Sequence, residues 1–432
     1  MNNTRALAAQ LCRDIIDQGK SLDQALSQAL DPLNPEDRGF VQELVYGVCR
    51  WYGALDKISH SLIAKPLRNK DRDIHYLLLI GLYQLKFIHT ADHAAISETV
   101  NGAKVLKKVW AVKLLNACLR RFQREQNADQ TNDNALASLQ SHPAWLIEAI
   151  KNDWPEHWQA ILSANNDRPL MCLRVNSMRS TRSEYLARLT TAGIDAQEDP
   201  YTQHGINLKH PVPVSALPGF ASGDCSVQDT AAQIASELLQ PRPNTRILDC
   251  CAAPGGKLAH VLELTGNQAQ VDAIDVAPIR VEKIRQGLAR LNLTANIYTG
   301  DATDPNSWPA SSKGYQQIII DAPCSGTGVI RRHPDIRHHR RASDIPNLVA
   351  LQKEILTAMW TLLNPGGQLL YITCSVLAQE NESQMASFLS AHKDAVARPL
   401  EHPNAQTLEL GRQSLQGVHA MDGFYYCLLE KR

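Results

Sequence analysis

Arg246-Ile247-Leu248-Asp249-Cys250-Cys251-Ala252-Ala253-Pro254-Gly255-Gly256-Lys257 is the stretch that decides the fold. Its first five residues read as a β-strand. The small residues and paired glycines that follow let a backbone turn sharply and approach a ligand closely. A helix expected over Gly256–Glu263 would then offer its free amides to an anionic group. The spacing is neither G-x-G-x-x-G nor a P-loop, which disfavours dinucleotides and nucleoside triphosphates.

The same strand-then-helix unit recurs downstream. β-rich runs at Gln270–Asp275, Asn296–Thr299, Gln317–Asp321 and Gln368–Thr373 alternate with amphipathic stretches at Pro278–Leu291, Leu348–Leu362 and Ala378–Ser390, and Phe424–Leu429 reads as a final strand near an edge. This alternation predicts an α/β, doubly wound domain with a mostly parallel sheet covered on both faces. Ligands of such sheets lie beyond the carboxyl ends of the strands, so the residues after each strand are the candidates.

Asp275 follows the second strand, about 20 residues past the glycine turn, where an acid can accept from ribose hydroxyls. Asp301 follows the third and could accept from an exocyclic amine. Any one of them could be an ordinary turn residue; acids after three successive strands point to an adenosine-containing cofactor that is not pyrophosphate-linked. After the fourth strand lies Asp321-Ala322-Pro323-Cys324-Ser325-Gly326-Thr327-Gly328, and after the fifth Thr373-Cys374-Ser375. The fourth and fifth strands of a doubly wound sheet are neighbours about 4.8 Å apart, which puts both thiols at one rim. A thiolate is a strong nucleophile in a polar, partly exposed site. Carbon 5 of a pyrimidine becomes nucleophilic only after a thiolate adds to carbon 6, and a carboxylic acid near ring nitrogen 3 favours that addition. Methylation of an amino group would need neither thiol.

These motifs resemble those of the S-adenosylmethionine-dependent RNA cytosine-5 methyltransferases, whose domain is the Rossmann-like class I methyltransferase fold. The resemblance implies Cys374 as the covalent nucleophile, Cys324 as the thiol assisting product release, and Asp321 as a contact to the base. It implies cofactor contacts from Cys251, Ala252, Ala253, Pro254, Gly255, Gly256, Lys257, Asp275, Arg280, Asp301 and Asp321, with S-adenosyl-L-methionine as the cofactor. One departure is Leu258, where the family commonly has Thr, which removes one hydroxyl contact.

Upstream, the first 125 residues read as all-helical: Thr4 can cap a first helix, and Asn34-Pro35-Glu36 is a strong second start signal. Phe40, Leu44 and Val48 share one face, and further helical patterns cover Ile74–Phe87, Ile96–Val109 and Val112–Phe122. Lys104, Lys107, Lys108, Lys113, Arg120, Arg121 and Arg124 occur with no acid among them. Such a run is either a solvated helix face or a phosphate-contacting surface. A polar, Asn/Asp-rich linker is expected within 126–140, and a small α/β module over 141–226, before the catalytic domain at 227–432. In the small module Leu170–Val175 reads as a strand and Thr181 with Glu184 as a capping box.

Glu43-Leu44-Val45-Tyr46-Gly47-Val48-Cys49-Arg50, Leu82-Tyr83-Gln84-Leu85 and Asn116-Ala117-Cys118-Leu119-Arg120-Arg121 resemble the NusB-like RNA-binding domain. Leu173-Arg174-Val175-Asn176 and Val227-Gln228-Asp229-Thr230-Ala231-Ala232-Gln233 match the middle region of bacterial 16S ribosomal RNA methyltransferases that join such a domain to the catalytic one. That resemblance implies 16S ribosomal RNA as the partner and Lys104, Lys107, Lys108, Arg120 and Arg121 as RNA contacts. Transfer RNA as substrate, or an antitermination-type RNA-binding protein with a degenerate catalytic domain, are the alternatives. Arg331-Arg332-His333-Pro334-Asp335-Ile336-Arg337-His338-His339-Arg340-Arg341 follows the fourth-strand motif and reads as a basic loop gripping RNA phosphates, with Arg331 and Arg332 as contacts.

Composition bounds the rest. The 432 residues, 44% hydrophobic and 20% charged, suffice for two or three domains with sizeable cores. Lys plus Arg and Asp plus Glu both total 44, so net charge alone names no partner. Asp14 and Asp17 stand where a secretory signal would be apolar, and the apolar run Ile74 to Ile88 is interrupted by His75, Gln84 and Lys86. The ten cysteines form no C-x-x-C pair. The expectation is a cytoplasmic, monomeric enzyme with reduced thiols, no metal site and no membrane contact.

Overall fold

The computed structural model describes residues 3–88, 91–128, 139–310, 312–402, 405–418 and 421–432. It divides into two units, Met1–Asp167 with Ile330–Arg341, and Arg168–Val329 with Ala342–Arg432. Most of the linker expected within 126–140 lies outside the described residues.

The first unit is helical: α1 (Thr4–Ile16), α2 (Leu22–Leu30), α3 (Pro35–Leu62), α4 (Arg72–Phe87), α5 (Asp92–Val105), α6 (Ala111–Ala128), α7 (Ala144–Asp153) and α8 (Trp158–Ala164). Asn34 caps α3, accepting from the Asp37 N–H at 2.8 Å, and Pro35 supplies its first position, as the start signal predicts. At the N-terminus the cap is Asn3 and not Thr4. Asn3 has the extended backbone a cap needs and accepts from the Ala6 N–H at 2.9 Å, whereas Thr4 is already helical. Leu44 and Val48 are sealed in the core with Leu77, Leu79 and Leu119, while Phe40 is half-buried under the Arg5 guanidinium.

The segment Ile330–Arg341 packs into this helical unit. Arg337 is 4% exposed and donates to the carbonyls of Arg50 (2.7 Å), Ser141 (3.0 Å) and Asn165 (3.0 Å) and to Asn166 Oδ1 (2.9 Å). His338 and His339 meet the Cys49 and Ile15 carbonyls, both at 2.8 Å, and Asp335 accepts from the Leu22 N–H at 3.0 Å. Burial, with Arg50 nearby, pushes the Arg337 guanidinium down to about 9, so it remains a cation at neutral pH. Its four acceptors compensate the burial of that charge. The expectation of an open basic loop is corrected at two of its arginines: Arg331 is buried, its carbonyl accepting from Arg50 at 2.9 Å, and Arg337 is sealed among its acceptors, while Arg332 is half-buried and Arg341 exposed.

The second unit opens with an antiparallel sheet ordered β2-β3-β1-β4, made of β1 (Met171–Val175), β2 (Ala196–Glu198), β3 (Gly205–Leu208) and β4 (Cys225–Val227). Helix α9 (Arg182–Thr191) contacts β2 and β3 of this sheet, and the Thr181–Glu184 capping box starts it. Then come α10 (Thr230–Leu239), β5 (Arg246–Cys250), α11 (Gly256–Leu264), β6 (Gln270–Asp275), α12 (Pro278–Leu291), β7 (Asn296–Thr299), β8 (Tyr315–Asp321), α13 (Asp344–Leu362), β9 (Leu363–Thr373), α14 (Glu382–Ala391), β10 (Ala395–Arg398), β11 (Gln406–Thr407), β12 (Arg412–Gln413) and β13 (Tyr425–Lys431). The sheet runs β11-β12-β13-β9-β8-β5-β6-β7, with β10 beside β13. Its five central strands, β9 to β7, are parallel, and β13 is antiparallel to β9. Successive residues of β8 point to opposite faces: Ile319 joins one core with Leu370 and Ile372, and Ile318 and Ile320 join the other with Leu369 and Tyr371. A strand buried on both sides is the reason for its uninterrupted apolar run. Among the described residues no helix is long and apolar enough to cross a membrane.

Candidate active site

Strands β8 and β9 are hydrogen-bonded neighbours in a register that pairs Asp321 with Ile372, so the residues just beyond them emerge side by side. Cys324 Sγ and Cys374 Sγ lie 3.3 Å apart, both partly exposed. The Cys324 thiol is raised well above its ordinary value, first by its hydrogen bond to Cys374, then by burial, then by the charges of Cys374 and Glu380. The two sulfurs share one hydrogen bond, and either can be its donor.

Lys257 Nζ donates to Asp321 Oδ2 at 2.6 Å and lies 5.3 Å from the centre of the Phe424 ring. Burial works against the ammonium, but Asp321, with Cys374 and Asp249 adding, outweighs it and raises Lys257. Lys257 is thus held as a cation in electrostatic reach of Cys374.

The glycine turn is built by a left-handed residue at each of two places. Cys251 has φ 62°, uncommon for a side chain with a Cβ, and Gly255 has φ 97° where an added Cβ would meet Ile284 Cγ2 at 3.3 Å. Ala252 N–H bonds the Ile274 carbonyl at 2.9 Å, which fastens the turn to β6. Asp275, 2% exposed, accepts from the N–H groups of Ala253 (3.3 Å) and Ala277 (3.1 Å), and Arg280 approaches it at 3.3 Å. Asp301 is exposed and engaged within its own loop, accepting from Thr303 N–H and Oγ1, each at 2.8 Å.

Two residues outside the expected set of contacts stand out. Asp249, at the end of β5, is 1% exposed and neither carboxylate oxygen has a hydrogen-bond partner. Burial, then the neighbouring Asp321, push its carboxyl up to about 8, with Lys257 opposing and Asp275 adding. Its motif was visible but its isolation was not. Glu380, fully buried behind both cysteine loops, carried no sequence signal at all.

Arg174, on β1, secures the glycine turn from behind. Its guanidinium grips Glu263 of α11 bidentately at 2.9 Å and donates to the Gly256 carbonyl at 2.9 Å and to Gln228. Both charged side chains are 0–1% exposed. Replacing Arg174 by Met leaves a buried carboxylate alone, which should lower unfolding stability by about 3–5 kcal/mol in denaturant titrations. A loss under 1 kcal/mol would show that this pair is dispensable.

In the helical unit, Lys104, Lys107, Arg120 and Arg121 are exposed, Arg121 pairing with Glu125 at 2.7 Å. Lys108 is held inward by Asp71 (3.0 Å) and Asp73 (2.5 Å), so it is not available to a phosphate as expected. Trp110, 54% exposed, lies in the same basic stretch. Among the described residues no group of three or more His, Cys, Asp or Glu side chains could hold a metal ion.

Family comparisons cover most of the chain. Residues 2–124 match the NusB family, residues 142–215 the ferredoxin-like domain of RsmF/B-like methyltransferases, and residues 236–430 the 16S rRNA methyltransferase RsmB/F. Ribosomal RNA small subunit methyltransferase B of Vibrio cholerae is 47% identical over 431 residues, covering 100% of this chain and 98% of that protein. The protein of the same name from Pseudomonas putida is 45% identical, covering 99% and 98%. A solved methyltransferase homolog from Pyrococcus horikoshii is similar in fold, with a TM-score of 0.58 at 24% identity over 67% of this chain and 100% of that one.

Proposed function

We propose that this chain, which belongs to the RsmB/F family of S-adenosylmethionine-dependent 16S rRNA methyltransferases, methylates carbon 5 of a cytosine through a covalent bond to Cys374. The observation that carries this reading is the pair of thiols 3.3 Å apart at the ends of adjacent parallel strands, beside Lys257 and Asp321. Methylation of an exocyclic amine would need neither thiol.

Cys374 attacks carbon 6 of the ring, with Lys257 stabilising the thiolate and the Cys324 S–H donating to it. Asp321 meets the base edge; its 29% exposure and its bond to Lys257 support that role. The resulting enamine makes carbon 5 nucleophilic. S-adenosylmethionine supplies, when bound, an electrophilic methyl group on a cationic sulfonium. Transfer would leave the sulfonium's bonding pair on the cofactor as a neutral thioether; a base then takes the carbon-5 proton, its bonding pair re-forms the ring double bond, and the pair of the carbon 6–sulfur bond returns to Cys374. Cys324 assists that release. The residues present fit the cofactor: Asp249 is a buried carboxylate lacking any partner, suited to a cationic ligand, and Asp275 lies at the strand end where ribose hydroxyls are held. Reaching carbon 5 requires the base to leave its stack. Lys104, Lys107, Arg120 and Trp110 are the surface offered to the RNA by the helical unit.

Incubation of the purified protein with unmodified 16S rRNA and labelled cofactor tests the reading. The expected product is 5-methylcytosine at one position, with binding that weakens steeply as salt rises. Label on another base or another atom, or transfer to bulk tRNA in preference, overturns it.

A further inference from the structure

We infer that Glu380 is a positioning residue that ties the two cysteine loops into one unit and sets the separation of the thiols. This rests on the covalent mechanism above and adds to it a residue that never touches the substrate.

The two thiols belong to different loops, so nothing in the chain's connectivity fixes the gap between them. Glu380 is 0% exposed, and its carboxylate accepts four hydrogen bonds. Ser325, next to Cys324, gives its N–H to Oε1 at 2.8 Å and its hydroxyl to Oε2 at 2.5 Å. Ser375, next to Cys374, gives its hydroxyl to the same Oε2 at 2.5 Å. Gln352 of α13 donates to Oε1 at 3.0 Å and also holds the Pro323 carbonyl at 3.0 Å. Short O–H···O⁻ bonds of this kind are about twice as strong as neutral ones. One oxygen therefore bridges the residue after each cysteine.

The anchor itself is rigid. The buried Tyr371 hydroxyl donates to the Glu380 carbonyl at 2.9 Å, and the adjacent Asn381 donates to the Ser375 carbonyl at 2.9 Å while accepting from Thr373 at 2.5 Å. All four partners of the carboxylate are donors, so only a group with two acceptor oxygens satisfies them as arranged. An amide has one acceptor and must release a loop or reverse its hydroxyls. The negative charge also faces Cys324 and helps to keep it protonated. Addition needs only Cys374, whereas release needs both sulfurs, so loosening the tie should act on release first.

The experiment compares Glu380→Gln, which keeps the volume, with Ser375→Ala, which cuts the tie on one side, and with Cys324→Ser as the control that stalls at the adduct. Expected for both tie variants is a kcat lower by about 10- to 100-fold, the loss of one or two charge-assisted bonds, with an RNA–protein adduct visible on denaturing gels during turnover. Cofactor affinity and melting temperature should stay close to those of the unaltered protein, and the double variant should be little worse than Glu380→Gln alone. If Glu380→Gln does not fold, Ser375→Ala carries the same test. Unaltered kcat, or a loss that follows cofactor affinity and melting with no adduct, overturns the positioning role. Absence of adduct from Cys324→Ser itself would instead overturn the covalent reading on which it rests.

Discussion

The Cys374→Ser protein should lose methyl transfer by roughly 10⁴- to 10⁶-fold, the range expected when a member of a covalent catalytic unit is removed. The Cys324→Ser protein should stop differently, with RNA still bonded to it. The two cysteines are near-equivalent by distance but not by electrostatics. Cys324 is raised by its hydrogen bond to Cys374, by burial and by the charges of Cys374 and Glu380, while Cys374 couples to the Lys257 cation. A serine at 374 is too weak an acid to add to carbon 6. A serine at 324 still lets Cys374 add but gives release no second sulfur. Gel-shifted adduct under denaturing conditions, present for Cys324→Ser and absent for Cys374→Ser and for the double variant, is the measurement. The reverse pattern would exchange the roles; normal turnover by Cys324→Ser would remove that residue from the reaction.

The legible part of this protein is the part written in local pattern. The helix Pro278–Leu291 has the bounds its sequence predicts, because Pro278 pre-sets the first turn and Asn292 ends it in a left-handed conformation. The meeting of the thiols was legible at one remove: it needs only the order of parallel strands, and β8 and β9 are neighbours. Strands β2 and β4, three residues each, are too short to show any alternation and went unread. In the basic run from Arg331, the inward turn of Arg331 and Arg337 is illegible for a different reason. A charge run does not say which side chains turn inward, and the acceptors of Arg337 come from residues 50, 141, 165 and 166, all remote in sequence. Lys108 is the same case, captured by carboxylates at 71 and 73. Long-range polar satisfaction decided these positions, and no window along the chain contains it.

Affinity for S-adenosylmethionine should climb about 5- to 25-fold in all from pH 6 to pH 8 and then level off, and Asp249→Asn should flatten that climb. Asp249 ionises at about 8 in the ligand-free protein because it is buried beside Asp321, with Lys257 in partial compensation and Asp275 adding, so near neutrality it is mostly protonated. A cationic ligand favours the ionised form, and binding below pH 8 therefore expels a proton. Above pH 8 the substitution should weaken binding by roughly 10- to 100-fold, the worth of a charge-assisted hydrogen bond. Stability of the ligand-free protein should move the opposite way. The folded carboxyl is raised from an ordinary value of 3.8, so the neutral form's contribution is complete below about pH 4 and is lost as pH rises through about 8. The unaltered protein should thus fall in stability relative to Asp249→Asn across that window, while gaining cofactor affinity over its upper half. Calorimetry in two buffers of different ionisation heat reads the proton release, and denaturant titrations read the stability. Equal pH slopes for the two proteins in both measurements would show that Asp249 neither titrates there nor faces the cofactor.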